Sequence, residues 1–351
     1  MIEPLSNLWH VVGLSKAFKP GRLVETQLAG RSLAMGRTRE GAMFAFLNAC
    51  PHRGARLSDG RLRDLGEEGP TVECPYHGWR FRTQDGVCAA APSVPADQDF
   101  DVGRIQARRW PVCERDGVVW VAPQLDLRAA AAPSSAPPGV GAKALGAPKL
   151  AVSVDVAASW DQAACGFVDP AHGPYVHRQW FWRSSNTLRD KAKQYEPLPL
   201  GFTMAPHRPS SNSRLYYVFG ADPVCEIRFE LPAVRYEIFQ APRFAFIALT
   251  AVTPLEANRS RMTQVFWWSA PWFSLFKPAL AAFTRRFLAQ DGAVLAGQAA
   301  LADQAGAPIY ARDADRPIQW FYALARDWSA AQAEGRPLRN PVEPCTLRWR
   351  T

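Results

Sequence analysis

The chain has 351 residues, of which 48% are hydrophobic and 21% are charged, and its formal net charge is +9. This composition is typical of a globular protein of about two domains, and it excludes a disordered chain, a collagen and a small disulfide scaffold. The 13 Trp and 19 Phe residues supply apolar area for two cores, or for one core and an apolar cavity. Seven cysteines without a framework spacing indicate a reducing compartment, and the first residues lack the pattern of a signal peptide, so we expect a cytoplasmic protein.

The 41 Lys and Arg residues are scattered rather than gathered in runs, which favours a basic surface over a nucleic-acid site. An acidic protein partner would also suit such a surface. No stretch has the roughly 18 uncharged apolar residues that a spanning helix needs. The longest candidate, Val265 to Phe283, is interrupted at Lys277. We therefore expect no membrane span, although this stretch leaves open an apolar surface that contacts a membrane.

A stretch rich in Ala, Pro, Gly and Ser, from Ala129 to Pro148, divides the chain. Such a composition buries little area and is typical of a linker. We predict one domain over residues 1–126, a linker over 127–149 and a second domain over 150–351. Closely spaced turn residues separate short apolar segments in the first domain, which should therefore be all-β. These segments are 23–27 and 32–36 around an Ala29-Gly30 turn, 42–47 and 118–121.

The second domain should be α+β, with helices packed on an antiparallel sheet. Residues 225–231 and 234–238 alternate between apolar and polar side chains, as strands with one buried face do. Further strands are predicted over 214–219, 244–252 and 263–268. Helices are predicted from Ala279 to about Ala302 and from Pro317 to Ala333, because the apolar period changes there. The apolar stripe of the first helix contains Leu280, Phe283, Phe287, Val294 and Leu295.

Two short motifs, Cys50-Pro51-His52 and Cys74-Pro75-Tyr76-His77, each offer one thiolate and one imidazole. Four such ligands could hold a structural zinc ion, or a [2Fe–2S] cluster of the Rieske kind, in which two His replace two Cys on one iron. The cluster is favoured because neither motif has the C-x-x-C spacing of zinc sites and each Cys is followed by Pro. In addition, Gly78-Trp79 offers a close backbone approach and an apolar lid.

A second group of candidate ligands follows Asp169 and consists of His172 and His177. Five residues apart, the two histidines would lie about 140° apart on an ideal helix. Gly173-Pro174 interrupts a regular helix, however, and a broken turn could bring both imidazoles to one metal. In the alternative, Asp169 caps a helix that continues with Pro170, and the histidines are ordinary, partly buried side chains.

One carboxylate would complete a facial triad of two histidines and an acidic ligand, and the best candidate is Asp291. It lies on the apolar stripe of the first predicted helix. At intervals of 4, 4, 3 and 4 residues, this stripe contains Phe283, Phe287, Asp291, Val294 and Gln298. A lone buried carboxylate is costly unless a positive charge compensates it, and iron(II) would do so. Alternatively, a bend at Gly292 turns Asp291 to solvent.

The segments Cys50 to Gly54 and Cys74 to Trp79 together resemble the signature of the Rieske-type non-haem iron oxygenases. In the second domain, Asp291 to Gln298 is similar to the D-x-x-V-L-x-x-Q pattern of the vanillate demethylase and pheophorbide a oxygenase-like branch. The resemblance implies a Rieske domain followed by a helix-grip, START-like catalytic domain. It implies a [2Fe–2S] cluster whose ligands are Cys50, His52, Cys74 and His77. It also implies a mononuclear Fe(II), with O2 as cosubstrate, whose ligands are His172, His177 and Asp291.

In that family, an aspartate at the place of Asp169 connects the mononuclear site with the Rieske histidine of a neighbouring subunit. The resemblance thus implies a path from His77 of one subunit through Asp169 to His172 of the next, in a head-to-tail homotrimer. One departure is that Cys165-Gly166 stands where the family commonly has an acidic residue and Asn. The surroundings of the iron should therefore differ.

The resemblance implies the terminal oxygenase component of a Rieske monooxygenase that hydroxylates or oxidatively demethylates an apolar aromatic or polycyclic substrate. Methoxyaromatics, N-methyl compounds, chlorins and sterols remain open as substrates, and His207 is a candidate substrate contact. Because the sequence has no flavin or nicotinamide fingerprint, a ferredoxin or an NAD(P)H-dependent flavin reductase must supply the electrons. Alternatives are a ring-hydroxylating dioxygenase that forms a cis-diol, a non-catalytic Rieske electron carrier, and a lipid-binding protein with a zinc-stapled N-terminal domain.

Overall fold

The computed structural model describes residues 2–63, 69–125, 133, 135–177, 188–210, 214–217, 220, 222–304 and 306–351. The chain forms two compact units, one of residues 6–137 and one of residues 1–5 with 138–351. Much of the first half of the predicted linker, 127–132 and 134, lies outside the described residues. None of the seven cysteines forms a disulfide.

The first unit is all-β, and its described residues form ten strands in three antiparallel sheets. The strands are β1 (His10–Leu14), β2 (Arg22–Leu28), β3 (Arg31–Arg37), β4 (Met43–Leu47), β5 (Arg61–Arg63), β6 (Thr71–Glu73), β7 (Arg80–Arg82), β8 (Cys88–Ala90), β9 (Val112–Arg115) and β10 (Val118–Val121). Their orders in the sheets are β1-β10-β9, β2-β3-β4 and β5-β6-β7-β8.

The predicted hairpin is the β2–β3 pair. Its two turn residues, Ala29 and Gly30, have φ angles of 51° and 71°. Positive φ at both central residues is the type I′ geometry, whose twist matches that of the flanking strands. The core below the two cysteine motifs contains Phe44, Phe46, Leu57, Val72 and Phe81, together with Cys50 and Cys74 themselves. The cysteines are therefore held by a packed sheet core.

The second unit is one eight-stranded antiparallel sheet with helices packed on it. Its elements are β11 (Leu150–Val156), α1 (Trp160–Val168), α2 (Gly173–Val176), β12 (Asp190–Leu198), β13 (Gly201–His207), α3 (Arg214–Tyr217), β14 (Val224–Glu230), β15 (Val234–Ala241), β16 (Phe244–Glu256), β17 (Arg259–Trp268), α4 (Lys277–Ala300), α5 (Arg316–Glu334) and β18 (Cys345–Arg350). The strand order is β11-β17-β16-β15-β14-β13-β12-β18.

The α+β architecture is confirmed, but one predicted strand is wrong. Within 214–219, the residues Arg214–Tyr217 form the short helix α3, and 218–219 lie outside the described residues. Tertiary contacts explain the difference, because the hydroxyl of Tyr216 donates to Glu237 and the hydroxyl of Tyr217 donates to the carbonyl of Pro209. These hydrogen bonds fix the segment against its neighbours and override its strand propensity.

The apolar stripe of α4 departs from the prediction at its C-terminal end, where Val294 is 45% exposed and Gln298 is also exposed. The buried residues of α4 are Thr284, Leu288, Asp291, Gly292 and Leu295. A Cβ on Gly292 would lie 2.8 Å from Val156 Cγ1 at the end of β11, so the glycine permits a close approach of helix and strand. This contact places Asp291 inside and turns Val294 outward. None of the helices in the described ranges is long and apolar enough to cross a membrane.

Candidate metal centres

Cys50 and Cys74 begin two loops of the same shape. In each loop the Cys amide donates to the carbonyl five residues later at 2.8 Å, and the glycine four residues after the Cys donates back to the Cys carbonyl. These glycines, Gly54 and Gly78, have φ angles of 72° and 71°, a left-handed conformation that glycine adopts without a steric penalty. The repeated geometry explains why both motifs carry Gly at the same distance from Cys.

The two loops bury their thiols and leave their imidazoles nearer the surface. Cys50 and Cys74 are each 3% exposed, whereas His52 and His77 are half-buried with ring centroids 4.8 Å apart. Burial raises the pKa of the Cys50 thiol to about 11, so this sulfur stays protonated unless a metal replaces the proton. Nδ1 of His77 is buried and has no hydrogen-bond partner among the described residues. Two thiols and two imidazoles so arranged fit a Rieske-type cluster.

The orientation of His52 is set by Trp79, whose ring stacks on the imidazole with centroids 4.4 Å apart and planes 4° apart. The indole is itself fixed, because its Nε1 donates to Ser93 Oγ at 3.0 Å. Tyr76 is 60% exposed, and its ring centroid lies 3.8 Å from that of His77. Trp79, which the sequence predicts as an apolar lid, thus stacks on His52. His77 lies beside the exposed ring of Tyr76.

In the second unit, the side chains of His172, His177 and Asp291 converge, and one donor atom from each lies within 4.8 Å of the others. Nε2 of His172 lies 3.7 Å from Asp291 Oδ1, and Nε2 of His177 lies 3.4 Å from the same oxygen. The Nδ1 atoms point to other partners. That of His172 lies 3.1 Å from the carbonyl oxygen of Asp169, and that of His177 lies 3.3 Å from Gln290 Oε1. Each ring therefore presents Nε2 to the same point and has its other nitrogen fixed.

The backbone between the histidines is a broken turn. The short helix α2 begins after His172 and ends before His177, and the ring centroids lie 5.3 Å apart. The alternative in which Asp169 is an N-cap is wrong, because Asp169 follows the last residue of α1 as its C-cap. Its Oδ1 accepts from the amide of Ala171 at 2.7 Å, and its Oδ2 lies 3.5 Å from His172 Nδ1.

Asp291 is buried at 6% exposure, which rules out the alternative that a bend turns it to solvent. Burial raises the pKa of this carboxyl to about 6, and the nearby His172 opposes the shift. The ring of Phe287 stacks on that of His177 at a centroid distance of 3.6 Å and covers it. A buried carboxylate beside two Nε2 atoms lacks only a positive charge, and this donor set suits a ferrous ion.

The residue that departs from the family pattern, Cys165, lies on α1, and its side chain hydrogen-bonds to Tyr322 of α5. Burial raises the pKa of the Cys165 thiol to about 12. The carbonyl of Cys165 accepts from the amide of Asp169 at 3.1 Å. A neutral thiol thus stands where the pattern has an acidic side chain, and it adds no charge next to Asp169.

Two cavities adjoin at the mononuclear site. The first, of about 160 Å³, is lined by His172, His177 and Asp291 and also by His207, the candidate substrate contact. The second, of about 400 Å³, is lined largely by aromatic side chains, among them Phe239, Phe244, Phe246, Phe266, Phe273 and Phe283. Five residues line both cavities, namely Tyr216, Arg235, Glu237, Gln264 and Phe287. The wall between the site and the aromatic cavity is therefore partly polar.

Sequence reasoning missed Gln290 and the polar wall. The alternation in β15 predicts that Arg235 and Glu237 face water, yet both line the cavities, and Arg235 donates to Glu237 at 3.0 Å. The available signal was that these two side chains share one face of a strand in the predicted sheet. Gln290 directly precedes Asp291, but a spacing pattern does not reveal that its amide reaches His177.

A family profile described as the Rieske [2Fe-2S] domain matches residues 8–111. The chain is 30% identical over 212 residues to chlorophyllide a oxygenase, chloroplastic, of Chlamydomonas reinhardtii, an alignment over 58% of this chain and 30% of that protein. It is 34% identical over 118 residues to the oxygenase component of 3-ketosteroid-9-alpha-monooxygenase of Rhodococcus rhodochrous, covering 33% of this chain and 29% of that protein. The chain thus spans under a third of the length of these relatives.

The crystal structure of dicamba monooxygenase bound to dicamba superimposes on this chain with a TM-score of 0.70 at 20% sequence identity, covering 93% of this chain and 98% of that one. The first unit is therefore a Rieske [2Fe–2S] domain, and a sheet with packed helices follows it. The chain has the domain content and the fold of the Rieske-type non-haem iron oxygenases, which confirms the resemblance found in the sequence.

Proposed function

We propose that the chain is the terminal oxygenase component of a Rieske non-haem iron monooxygenase. It uses O2 and electrons from a partner to hydroxylate or oxidatively demethylate an apolar aromatic or polycyclic substrate. The observation that carries this proposal is the convergence of His172 Nε2, His177 Nε2 and the Asp291 carboxylate beside a cavity. An electron carrier has no use for such a donor set, since a Rieske cluster alone carries electrons.

This proposal assigns separate sets of protein ligands to the [2Fe–2S] cluster and to the mononuclear iron. Cys50, His52, Cys74 and His77 hold the [2Fe–2S] cluster, and His172, His177 and Asp291 hold one ferrous ion. When bound, the cluster delivers single electrons and the ferrous ion activates O2. The protein positions and shields this chemistry. Asp169 and Gln290 fix the two imidazoles through Nδ1, and Phe287 limits the access of water to His177.

The residues that line the aromatic cavity and its shared wall favour an apolar substrate that carries a neutral polar group. The aromatic cavity offers ring faces and no charged side chain beyond the shared wall of Arg235 and Glu237. These two residues pair with each other, and Glu237 also accepts from the hydroxyl of Tyr216, so the wall carries no net charge. A neutral carbonyl or hydroxyl group can hydrogen-bond there, whereas a carboxylate would have to compete with Glu237.

Electrons reach the chain from a ferredoxin or a flavin reductase in this proposal, and they cross a subunit boundary on their way to the iron. The side chain of Asp169 is 23% exposed, and one of its oxygens lies beside His172. It can therefore accept a hydrogen bond from an imidazole of another subunit, such as the half-buried His77. A head-to-tail homotrimer would bring these two groups together.

Metal and sulfide analysis of the purified chain tests the proposal. The oxygenase requires about three irons and two acid-labile sulfides per chain, an electron carrier requires about two irons, and a zinc-stapled protein contains none. Two irons per chain after anaerobic reconstitution would contradict the oxygenase. Labelling with 18O2 then separates the remaining alternative, because a cis-diol-forming dioxygenase places two labelled oxygens in its product. A monooxygenase places one in a hydroxylated product, and in a demethylation that one oxygen leaves with the formaldehyde.

A further inference from the structure

Three large apolar side chains are exposed on the short 3-10 helix that precedes α4. Leu275 is 81% exposed, Trp272 is 54% exposed and Phe276 is 53% exposed. A 3-10 helix has three residues per turn, so Trp272 and Leu275 lie one above the other on its outer side. Together these three side chains form a single apolar patch, which we call the aromatic lip.

The aromatic lip rests on a rigid base. The ring of Trp272 lies 6.3 Å from that of Phe244 and 5.7 Å from that of Phe273, and the ring of Phe273 lies 5.2 Å from that of Trp268. Phe244 and Trp268 are buried. Because the supporting rings are packed, the exposed side chains cannot fold back into the core of the protein.

The aromatic lip also borders the larger cavity. Phe276 is a member of the lip and also lines the aromatic cavity, and the partly buried Phe273 lines the same cavity. The next cavity residues along the chain are Ala279, Leu280 and Phe283 on the first turns of α4. An apolar surface therefore runs from the outside of the protein into the cavity.

The charges around the aromatic lip have one sign. Between Glu256 and Asp291 the sequence contains five basic residues and no acidic residue. Two of the five pair with carboxylates outside this stretch, at 3.6 Å from Arg259 to Glu256 and 2.6 Å from Arg261 to Asp155. The other three lie on the first three turns of α4 and have no carboxylate partner among the described residues. They are Lys277, Arg285 and Arg286.

We propose that the aromatic lip docks on the surface of an anionic lipid bilayer, and that an apolar ligand enters the larger cavity from the membrane at this point. Trp, Phe and Leu on one side with Lys and Arg beside them are the composition of segments that lie in the membrane interface. The basic residues lie near the lipid phosphates while the lip inserts among the upper acyl chains. The docking does not depend on the presence of either metal.

Co-sedimentation of the purified full chain with lipid vesicles tests the docking. One set of vesicles is pure phosphatidylcholine, and the other is an equal mixture of phosphatidylcholine and phosphatidylserine. We expect the chain to sediment with the mixed vesicles, more weakly with the neutral vesicles, and less with either as the salt concentration rises. Failure to bind the mixed vesicles at low salt overturns the proposal.

Substitutions of exposed residues test whether the aromatic lip makes the contact with the bilayer. Leu275→Asp and Trp272→Ser each remove an exposed apolar side chain, and we expect each to weaken partitioning by about tenfold or more. The matched control is Ile309→Asp, since Ile309 is 96% exposed in the same unit and lies in the segment between α4 and α5. Its partitioning should equal that of the wild type. Equal losses in Leu275→Asp and Ile309→Asp would overturn the assignment of the lip.

A second copy of the chain is the other partner that such a patch could have. Analytical ultracentrifugation without lipid separates the two outcomes. If Leu275→Asp lowers the oligomeric mass while Ile309→Asp does not, the lip is a protein interface and the proposal fails. An unchanged mass with lost vesicle binding supports the membrane contact. Circular dichroism and thermal unfolding of each variant confirm that the second unit is folded, and none of these results depends on turnover.

Discussion

Gln290 Oε1 lies 3.3 Å from Nδ1 of His177, and Gln290 directly precedes Asp291 in α4. One helix thus supplies both a candidate ligand and the group that orients a second candidate ligand. The Gln290 side chain leaves Nε2 of His177 as the nitrogen that faces Asp291, at 3.4 Å. The geometry of the proposed iron site therefore depends on where α4 packs, and Gly292 permits that packing by its close approach to Val156.

Replacing Gln290 with Ala should weaken iron binding without abolishing it. The His177 ring loses its hydrogen-bond partner and samples other orientations, and loss of such partners typically lowers metal affinity by about 10–100-fold. Titration with a ferrous chelator measures the change, with the Rieske spectrum as an internal reference. Gln298→Ala, on an exposed part of the same helix, is the matched control. Equal chelator curves for the two variants would show that Gln290 does not orient the ligand.

Replacing Asp291 with Ala should remove one iron per chain and all substrate oxygenation while the Rieske spectrum remains intact. The carboxylate is the only acidic member of the proposed triad, and two neutral imidazoles alone hold a ferrous ion weakly. Metal analysis and oxygen uptake measure the two effects. Asp303→Ala, at an exposed position just beyond α4, controls for loss of a carboxylate as such. Full iron content and turnover in Asp291→Ala would place the carboxylate ligand elsewhere.

Replacing Glu237 with Gln should change the preference of the cavity for charged ligands. Arg235 then lacks its counter-charge, so the wall becomes cationic and favours a carboxylate over a ketone with the same ring skeleton. Binding of such a ligand pair can be followed by quenching of tryptophan fluorescence. Glu226→Gln is the matched control, because Glu226 makes the same kind of pair with Arg228 on the neighbouring strand but does not line either cavity. A wild-type preference in Glu237→Gln would exclude this wall from ligand recognition.

The local features of both metal centres could be predicted from the sequence because they depend on short motifs. A glycine stands four residues after each Cys, and Gly173-Pro174 interrupts the helix between the histidines. Both features follow from the backbone preferences of a few neighbouring residues. Four of the eight strands of the second unit, β14 to β17, were likewise predicted, whereas β11, β12, β13 and β18 were not. The type I′ turn at Ala29-Gly30 is another such local feature.

The sequence-based predictions fail where tertiary packing determines the exposure of a side chain or the secondary structure of a segment. Val294 fits the helical stripe, but the close contact of Gly292 with β11 rotates it to the surface. Tyr216 and Tyr217 lie in a predicted strand, yet their hydroxyl groups find partners that hold a short helix. Arg235 and Glu237 lie on the polar face of a strand, and only the three-dimensional arrangement turns that face towards a cavity. Val156, which packs on Gly292, and Glu237, which pairs with Tyr216, both lie far along the chain from the residues that they position.

Replacing His77 with Cys should preserve the iron–sulfur content and lower the reduction potential of the cluster by roughly 200 mV or more. A thiolate adds negative charge where a neutral imidazole stood, which stabilises the oxidised form. Protein-film voltammetry measures the shift. Tyr76→Phe is the control, because it removes only the hydroxyl of the ring beside His77. An unchanged potential in His77→Cys would remove His77 from the ligand set.

Replacing Asp169 with Asn should leave both metal sites filled and the cluster reducible, but lower product formation by about 10–100-fold or more. Asn keeps the size of the side chain but loses the charge and one acceptor position beside His172 Nδ1. Stopped-flow measurement of cluster reoxidation in the presence of O2 and substrate should show the slow step directly. Rapid reoxidation coupled to product would contradict a role for Asp169 in electron transfer.

Mixed oligomers then decide whether that transfer crosses between subunits. Chains with Asp169→Asn keep a normal cluster, and chains with His77→Ala keep a normal Asp169 and iron site. When the two are coexpressed, a head-to-tail ring contains some boundaries at which the intact His77 of one chain meets the intact Asp169 of the next. Because each variant alone has little activity, any activity of the mixture above that of the two variants measured separately must arise at such boundaries. If transfer takes place within one chain, every chain in the mixture has one broken step and no ratio of the two restores turnover, so the proposed head-to-tail ring would fail.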